Sequence, residues 1–253
     1  MLLRPMPARF ALFVFALMLP GCSSAPDRAT IPPQQTSDAA DPAALQILAA
    51  SVRAMGGAEA VDSILSIDAV SDGTGPGGSF QTHVSSSRDG RMRFMQITPG
   101  GHFAAGIDSA GSWHAIGDST ATLDSATRSF LRGHELHMLA LAPTTRWRPV
   151  AATGPVTVQN REAIGIRFTD EMGSEATIFY RPTDTLPLGY RLLDHSSPGA
   201  PPVEVLFGHW GVHGGPPLFT DAIFAQGEEK VNWHYTRVGV NTAPDSLFRR
   251  PRP

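Results

Sequence analysis

The chain has a single cysteine, Cys22. One cysteine permits no intramolecular disulfide and no zinc–cysteine site, so neither can staple the fold. Positive charge is also scarce. With Arg4 and Arg9 of the leading segment set aside, 18 basic residues face 23 acidic ones, a formal net charge of −5. A chain of that sign lacks the electrostatic footprint of a nucleic-acid binder, and no nucleic-acid partner is expected. The apolar run at residues 10–19 falls short of the roughly 20 residues a spanning helix needs.

The usual signatures of catalysis are missing too. There is no Gly-x-Ser-x-Gly elbow, and the glycine cluster at 73–78 is followed by no Lys-Ser/Thr pair and no helix, which makes it a hairpin loop rather than a phosphate cradle. His134 and His137 stand three apart in His-Glu-Leu-His, not four apart as in His-Glu-x-x-His, and read as a partly exposed helix end. His209 and His213 flank residues 210–212 in an expected loop, and neither pair brings a third ligand. The acid pairs at 170–171 and 228–229 fall at expected turns, where charge is normally solvated. No catalytic residue, metal site or cofactor is assigned, and the chain is not expected to be an enzyme.

What is present is a globular composition, 42% apolar and 17% charged, on a length that allows one or two domains. Residues 1–9 are short and basic, an apolar run follows, and Leu19-Pro-Gly-Cys22 closes it. That order is a secretory signal over residues 1–21. Leu19, Gly21 and Cys22 resemble the bacterial lipobox, although Pro20 is an unusual middle residue. The resemblance implies that Cys22 becomes the acylated N-terminus and holds the protein on a membrane through its acyl chains. Ser23, where an aspartate would mark inner-membrane retention, points to the periplasmic face of the outer membrane.

Residues 22–40 form an acylated, flexible tether, rich in proline and polar residues and poor in apolar ones. The folded domain, 41–253, opens at Asp41-Pro42, an N-cap with proline at the first helical position. Leu45, Leu48, Val52 and Met55 recur at helical spacing until Gly56-Gly57. From residue 65 the apolar period shortens to two through 65–69, 80–84, 92–97, 103–107 and 113–116, which predicts about five strands. Helical spacing returns over 125–141, with Phe130, Leu131, His134, Met138 and Leu141 on one face, and Pro143 stops it. Residues 154–241 then read as six or seven strands of an antiparallel meander, with Ile164, Ile166 and Phe168 alternating against Gly165, Arg167 and Thr169. The fold class is α+β: one strongly curved antiparallel sheet, an incomplete β-barrel, with the helices packed on its concave face.

Lipobox, tether, a helix ending in Met-Gly-Gly, a long meander and a mid-chain helix together resemble the outer-membrane lipoprotein-sorting superfamily of bacterial envelope lipoproteins, which includes LolA and LolB. The local matches are residues 49–60, 181–190 and 238–248. The resemblance implies a concave apolar interior that binds acyl chains or lipidated partners. Two helices do not cover an inner face of some eleven strands, so Phe94, Trp113, Phe130, Leu131, Met138, Ile166 and Tyr190 are the expected lining of a ligand cavity. The rival expectation is the same fold with a filled core, serving as a non-catalytic accessory of an envelope complex. A hydrolase with an unrecognised site is the weaker third.

Overall fold

The structure is a computed structural model that describes residues 40–117, 119–197, 199–212 and 215–251. The expected signal segment, Cys22, nearly all of the expected tether and His213 lie outside the described residues.

Helix α1 (Pro42–Ala54) starts where the sequence places it. Asp41 Oδ1 accepts from the Ala43 N–H at 3.0 Å, and Pro42 follows as the first helical residue. The same aspartate holds the helix to the sheet. Its Oδ2 accepts from the Ala152 N–H at 3.0 Å and its own N–H donates to the Val150 carbonyl at 3.0 Å. Those N–H donors, Ala152 first and then Ala43, hold its carboxyl below the ordinary carboxylate range. The buried face of α1 is rotated from the expected stripe: Ala44, Ser51 and Met55 are buried, Leu48 and Val52 are half-buried, and Leu45 is 48% exposed. A five-residue helix, α2 (Ala58–Asp62), leads into the sheet.

Six strands then run in order: β1 (Ser66–Gly75), β2 (Gly78–Ser87), β3 (Met92–Thr98), β4 (Gly101–Asp108), β5 (Gly111–Ile116) and β6 (Ser119–Thr122). Two helices follow, α3 (Ser125–Arg132) and α4 (Leu136–Leu141), then a 3₁₀ turn at Pro143–Thr145. Seven strands complete the chain: β7 (Arg148–Val158), β8 (Arg161–Thr169), β9 (Glu175–Tyr180), β10 (Pro187–Leu192), β11 (Val203–Val212), β12 (Pro217–Gln226) and β13 (Glu229–Val240). All thirteen belong to one antiparallel sheet in the order β6-β5-β4-β3-β2-β1-β13-β12-β11-β10-β9-β8-β7.

This order explains the architecture. The chain begins in the middle of the sheet, builds outward to the β6 edge, crosses to the β7 edge through α3 and α4, and builds back until β13 pairs with β1. A helical crossover between opposite edges must lie across one face, and curling the sheet around it buries the helices. Bulges between Val70 and Ser71 in β1 and at two places in β7 add twist where the sheet bends. With β6 and β7 left unjoined, the sheet is an incomplete barrel with its helices on the concave face.

Two further sequence expectations change. The single helix over 125–141 is broken at residues 133–135, because Gly133 ends α3 and Glu135 is drawn aside by two arginines. Among the described residues the strands number thirteen rather than eleven or so. β6, Ser-Thr-Ala-Thr, is too short and polar to show a pattern, and the first half of β7 has bulges in place of alternation.

The main core joins α4 to the inner faces of β1 and β8–β13, and a second cluster under α3 joins Val84, Met92, Phe94, Ala105, Ile107 and Leu131. Two smaller clusters lie on the outer face. Phe179 alternates with inner-facing Ile178 and Tyr180, and packs outside with Leu188 and Leu206 beneath the Arg191 guanidinium.

Candidate ligand site

Helix α4, Leu-His-Met-Leu-Ala-Leu, is apolar nearly all round, and all six residues are buried. It fills the centre of the concavity. The two histidines expected at a partly exposed helix end are instead inside, a correction that follows from the crossover running over the middle of the sheet. His137 stacks on Phe219 with centroids 4.0 Å apart, meets Tyr235 edge-on, and its Nε2–H donates to the Phe219 carbonyl at 3.0 Å. His134 is enclosed by Phe94, Phe130, Phe224 and Trp233, with Nδ1 3.2 Å from the Phe130 carbonyl. Burial pulls both imidazoles down to about 4, against the weaker upward pull of those carbonyls. Both are therefore neutral at pH 7.

Helix α3 and its C-cap are tied to the sheet by side chains. Tyr190 donates its hydroxyl to the Gly133 carbonyl, and burial raises that phenol well above its ordinary value. Asp170 and Glu171, at the turn after β8 where they were expected, also reach α3: Ser129 Oγ donates to Oδ2 of the half-buried Asp170 at 2.6 Å and Arg128 Nε to Oε1 of the exposed Glu171 at 2.9 Å. The crevice between α4 and strands β1 and β2, walled by Ile67, Ala69, His134, Glu135 and Tyr235, has no room for a water molecule.

The seven residues expected to line a cavity are divided among three packing clusters. Phe94 and Leu131 pack in the cluster under α3, while Phe130, Met138, Ile166 and Tyr190 belong to the main core. Trp113 is on the other side of the sheet, with Ala104, Ala115 and Met95. In β5, His114 pairs with inner-facing Ala105, so its neighbour Trp113 must point outward. There its ring lies over Gly106, where a Cβ would stand 2.6 Å from it.

Open space exists at the end of the half-barrel where the β1–β2 and β3–β4 turns lie side by side. A pocket of about 260 Å³ is floored by Phe80 and Val231, flanked by Gln96 and Thr98, and rimmed by the backbone of residues 75–79 and 99–100. The close approach that shapes it is between Phe80 and Gly73: a Cβ on Gly73 would stand 2.2 Å from the Phe80 ring. The sequence carried a signal for this site in two neighbouring Pro-Gly turns, Pro76-Gly77 and Pro99-Gly100, but their adjacency depends on the β2–β3 register.

A polar cluster sits on the outer face. His209, at φ +53 in β11 rather than in a loop, donates Nδ1–H to Asp221 Oδ2 at 2.8 Å, and His234 donates to Oδ1 at 3.0 Å. Partial burial pushes the Asp221 carboxyl up, and hydrogen bonds from His234, Thr220 and His209 outweigh it, leaving the group below its ordinary value. Among the described residues no group of three or more histidine, cysteine or acidic side chains is arranged to hold a metal ion, and no helix is long and apolar enough to cross a membrane.

No family model matches the chain, and no curated protein matches it in sequence. Its structure does have counterparts. A LolA superfamily protein from Nitrosomonas europaea superposes with a TM-score of 0.53 at 12% identity, over 79% of this chain and 97% of the other. A DUF1329 family protein from Desulfovibrio piger gives 0.53 at 14% identity, over 82% and 96%. An outer membrane lipoprotein-sorting protein domain from Vibrio parahaemolyticus gives 0.53 at 10% identity, over 81% and 95%. The chain therefore carries the curved-sheet, helix-covered fold of the LolA-like proteins.

Proposed function

We propose that this protein is a lipid-anchored envelope lipoprotein, held at the periplasmic face of the outer membrane through acylated Cys22, that binds an apolar or amphiphilic ligand on the concave side of its sheet. The observation that carries the reading is the pocket at the open end of the concave face, floored by Phe80 and Val231. The fold supports it, since the solved structures it resembles include a LolA superfamily protein and a lipoprotein-sorting domain. A lipid or a lipidated protein fits such a site, and no catalytic role is assigned to it. The close packing around His134 and His137 favours the rival reading, an accessory module with a filled core.

Two measurements test the proposal. Extraction of protein purified from its membrane, followed by mass spectrometry, is expected to yield a co-purifying amphiphile near one equivalent; a well-folded, lipid-free protein would favour the accessory module. Fractionation of a Cys22→Ser variant is expected to move the protein out of the membrane pool. Unchanged sedimentation with membranes would remove the acyl anchor from the account.

A further inference from the structure

We propose that the pocket at the open end of the half-barrel seats the terminus of one acyl chain, with the charged end of the amphiphile outside the protein, and that Phe80 sets the depth of that seat. This rests on the lipid-binding reading and makes it specific.

Size comes first. The pocket, about 260 Å³, exceeds the cavity of about 150 Å³ that holds benzene and falls below the range of about 300–1,000 Å³ that encloses a whole drug-sized ligand. It has room for part of an amphiphile, a single chain end, and not for a diacyl body. The lining decides which part. Phe80, Val231, Pro76 and Pro99 supply apolar surface, Gln96 and Thr98 are uncharged, and among the described residues no charged side chain lines the space. A phosphate or carboxylate placed there would lose its water and gain no countercharge, so the charged end stays outside.

The floor has an unusual construction. Beneath the Phe80 ring is Gly73, whose missing side chain leaves the ring in contact with backbone. Gly73 faces Trp233 in the β1–β13 ladder, and Trp233 is part of the main core. Truncating Phe80 therefore deepens the pocket toward the aromatic interior. Filling it is equally simple. Gly100 lines the pocket, does not require a positive φ, and a Cβ built on it meets only Thr98 Oγ1 at 3.8 Å.

The experiment uses a convenience of the sequence: Lys230, the residue before Val231, is the only lysine in the chain. The full chain carrying Cys22→Ser is labelled with an environment-sensitive dye at Lys230 and titrated with saturated fatty acids of graded length, with a Lys230→Arg control for label on the terminal amine. Saturable binding with a preferred chain length is expected. Gly100→Trp should weaken it at least tenfold without lowering the melting temperature, and Phe80→Ala should move the preference to longer chains. Fatty-acid binding that survives Gly100→Trp but is lost in Met138→Arg, with the fold intact, would place the ligand under the helices; the seat assignment would fall and the lipid-binding reading would stand. Diacyl phospholipid binding as tightly as fatty acid and indifferent to Gly100→Trp would also overturn the assignment. Absence of binding by the folded parent, to any of these amphiphiles, would remove both.

Discussion

The carboxylate of Glu135 and the guanidinium of Arg146 form a buried ion pair, with Nη2 2.6 Å from Oε2 and side chains 0% and 2% exposed. Arg146 Nε adds bonds of 3.0 and 3.1 Å to the two carboxylate oxygens, and Arg132 Nη1 approaches Oε1 at 2.7 Å. Arg146 Nη2 also donates to the Ser87 carbonyl at 2.6 Å. One carboxylate between α3 and α4 thus holds the helical crossover against the end of β2.

Removing one partner from such a pair strands a buried charge. Glu135→Ala is therefore expected to cost about 3–5 kcal/mol of stability, whereas replacing both residues by apolar side chains of similar volume is expected to cost much less. Equilibrium denaturation of the two variants checks this. A Glu135→Ala loss under about 1 kcal/mol, the range of exposed pairs, would mean that the crossover is not secured there.

His134 and His137 give stability a pH dependence. Each folded-state pKa is depressed from 6.5 to about 4, so the unfolded chain binds more protons than the folded one between those values. The stabilisation is fully present above 6.5 and is lost as pH falls through that window, by an amount on the order of 3 kcal/mol for each residue. Urea melts at pH 7.5, 5.5 and 4.5 measure it. His137→Phe, which keeps the stacking and removes the titration, is expected to flatten the profile, although the Phe219 carbonyl loses a donor. A parent profile already flat from pH 7.5 to 4.5 would mean that the imidazoles are not desolvated.

Asn241 connects the end of β13 to the start of β1. Its Oδ1 accepts from the N–H groups of Leu65 at 2.7 Å and Ser66 at 3.1 Å, its Nδ2 donates to the Ser63 carbonyl at 2.8 Å, and its φ is +57. Asn241→Ala loses these bonds and strains the backbone, for an expected loss of about 1–3 kcal/mol. Asn241→Gly, which relieves the strain but not the missing bonds, should lose less. Thermal melts of the pair separate the two contributions, and equal losses would assign no part to the backbone.

Fold class, the N-cap at Asp41 and most strands were legible in the sequence because each depends on local pattern: the alternation through Ile164, Ile166 and Phe168, or a capping residue before Pro42. What was not legible depends on where the chain travels. His134 and His137 look polar in sequence and are buried because the crossover runs over the centre of the sheet. Trp113 reads as core and is core, but on the outer face, since its side is set by pairing with β4 and not by its own neighbours. The pocket is formed by two turns brought together by register, whereas Ile166 and Tyr190, at alternating strand positions, share the main core with the residues of α4.

The most direct test of ligand binding on the concave side is titration of the lipid-stripped, folded protein with an apolar fluorescent probe, followed by displacement with a fatty acid or phospholipid. Saturable binding near one probe per chain and full displacement are expected, with an intact melting transition recorded in parallel. A folded protein that shows no saturable binding would contradict the account and leave the filled-core accessory module in its place.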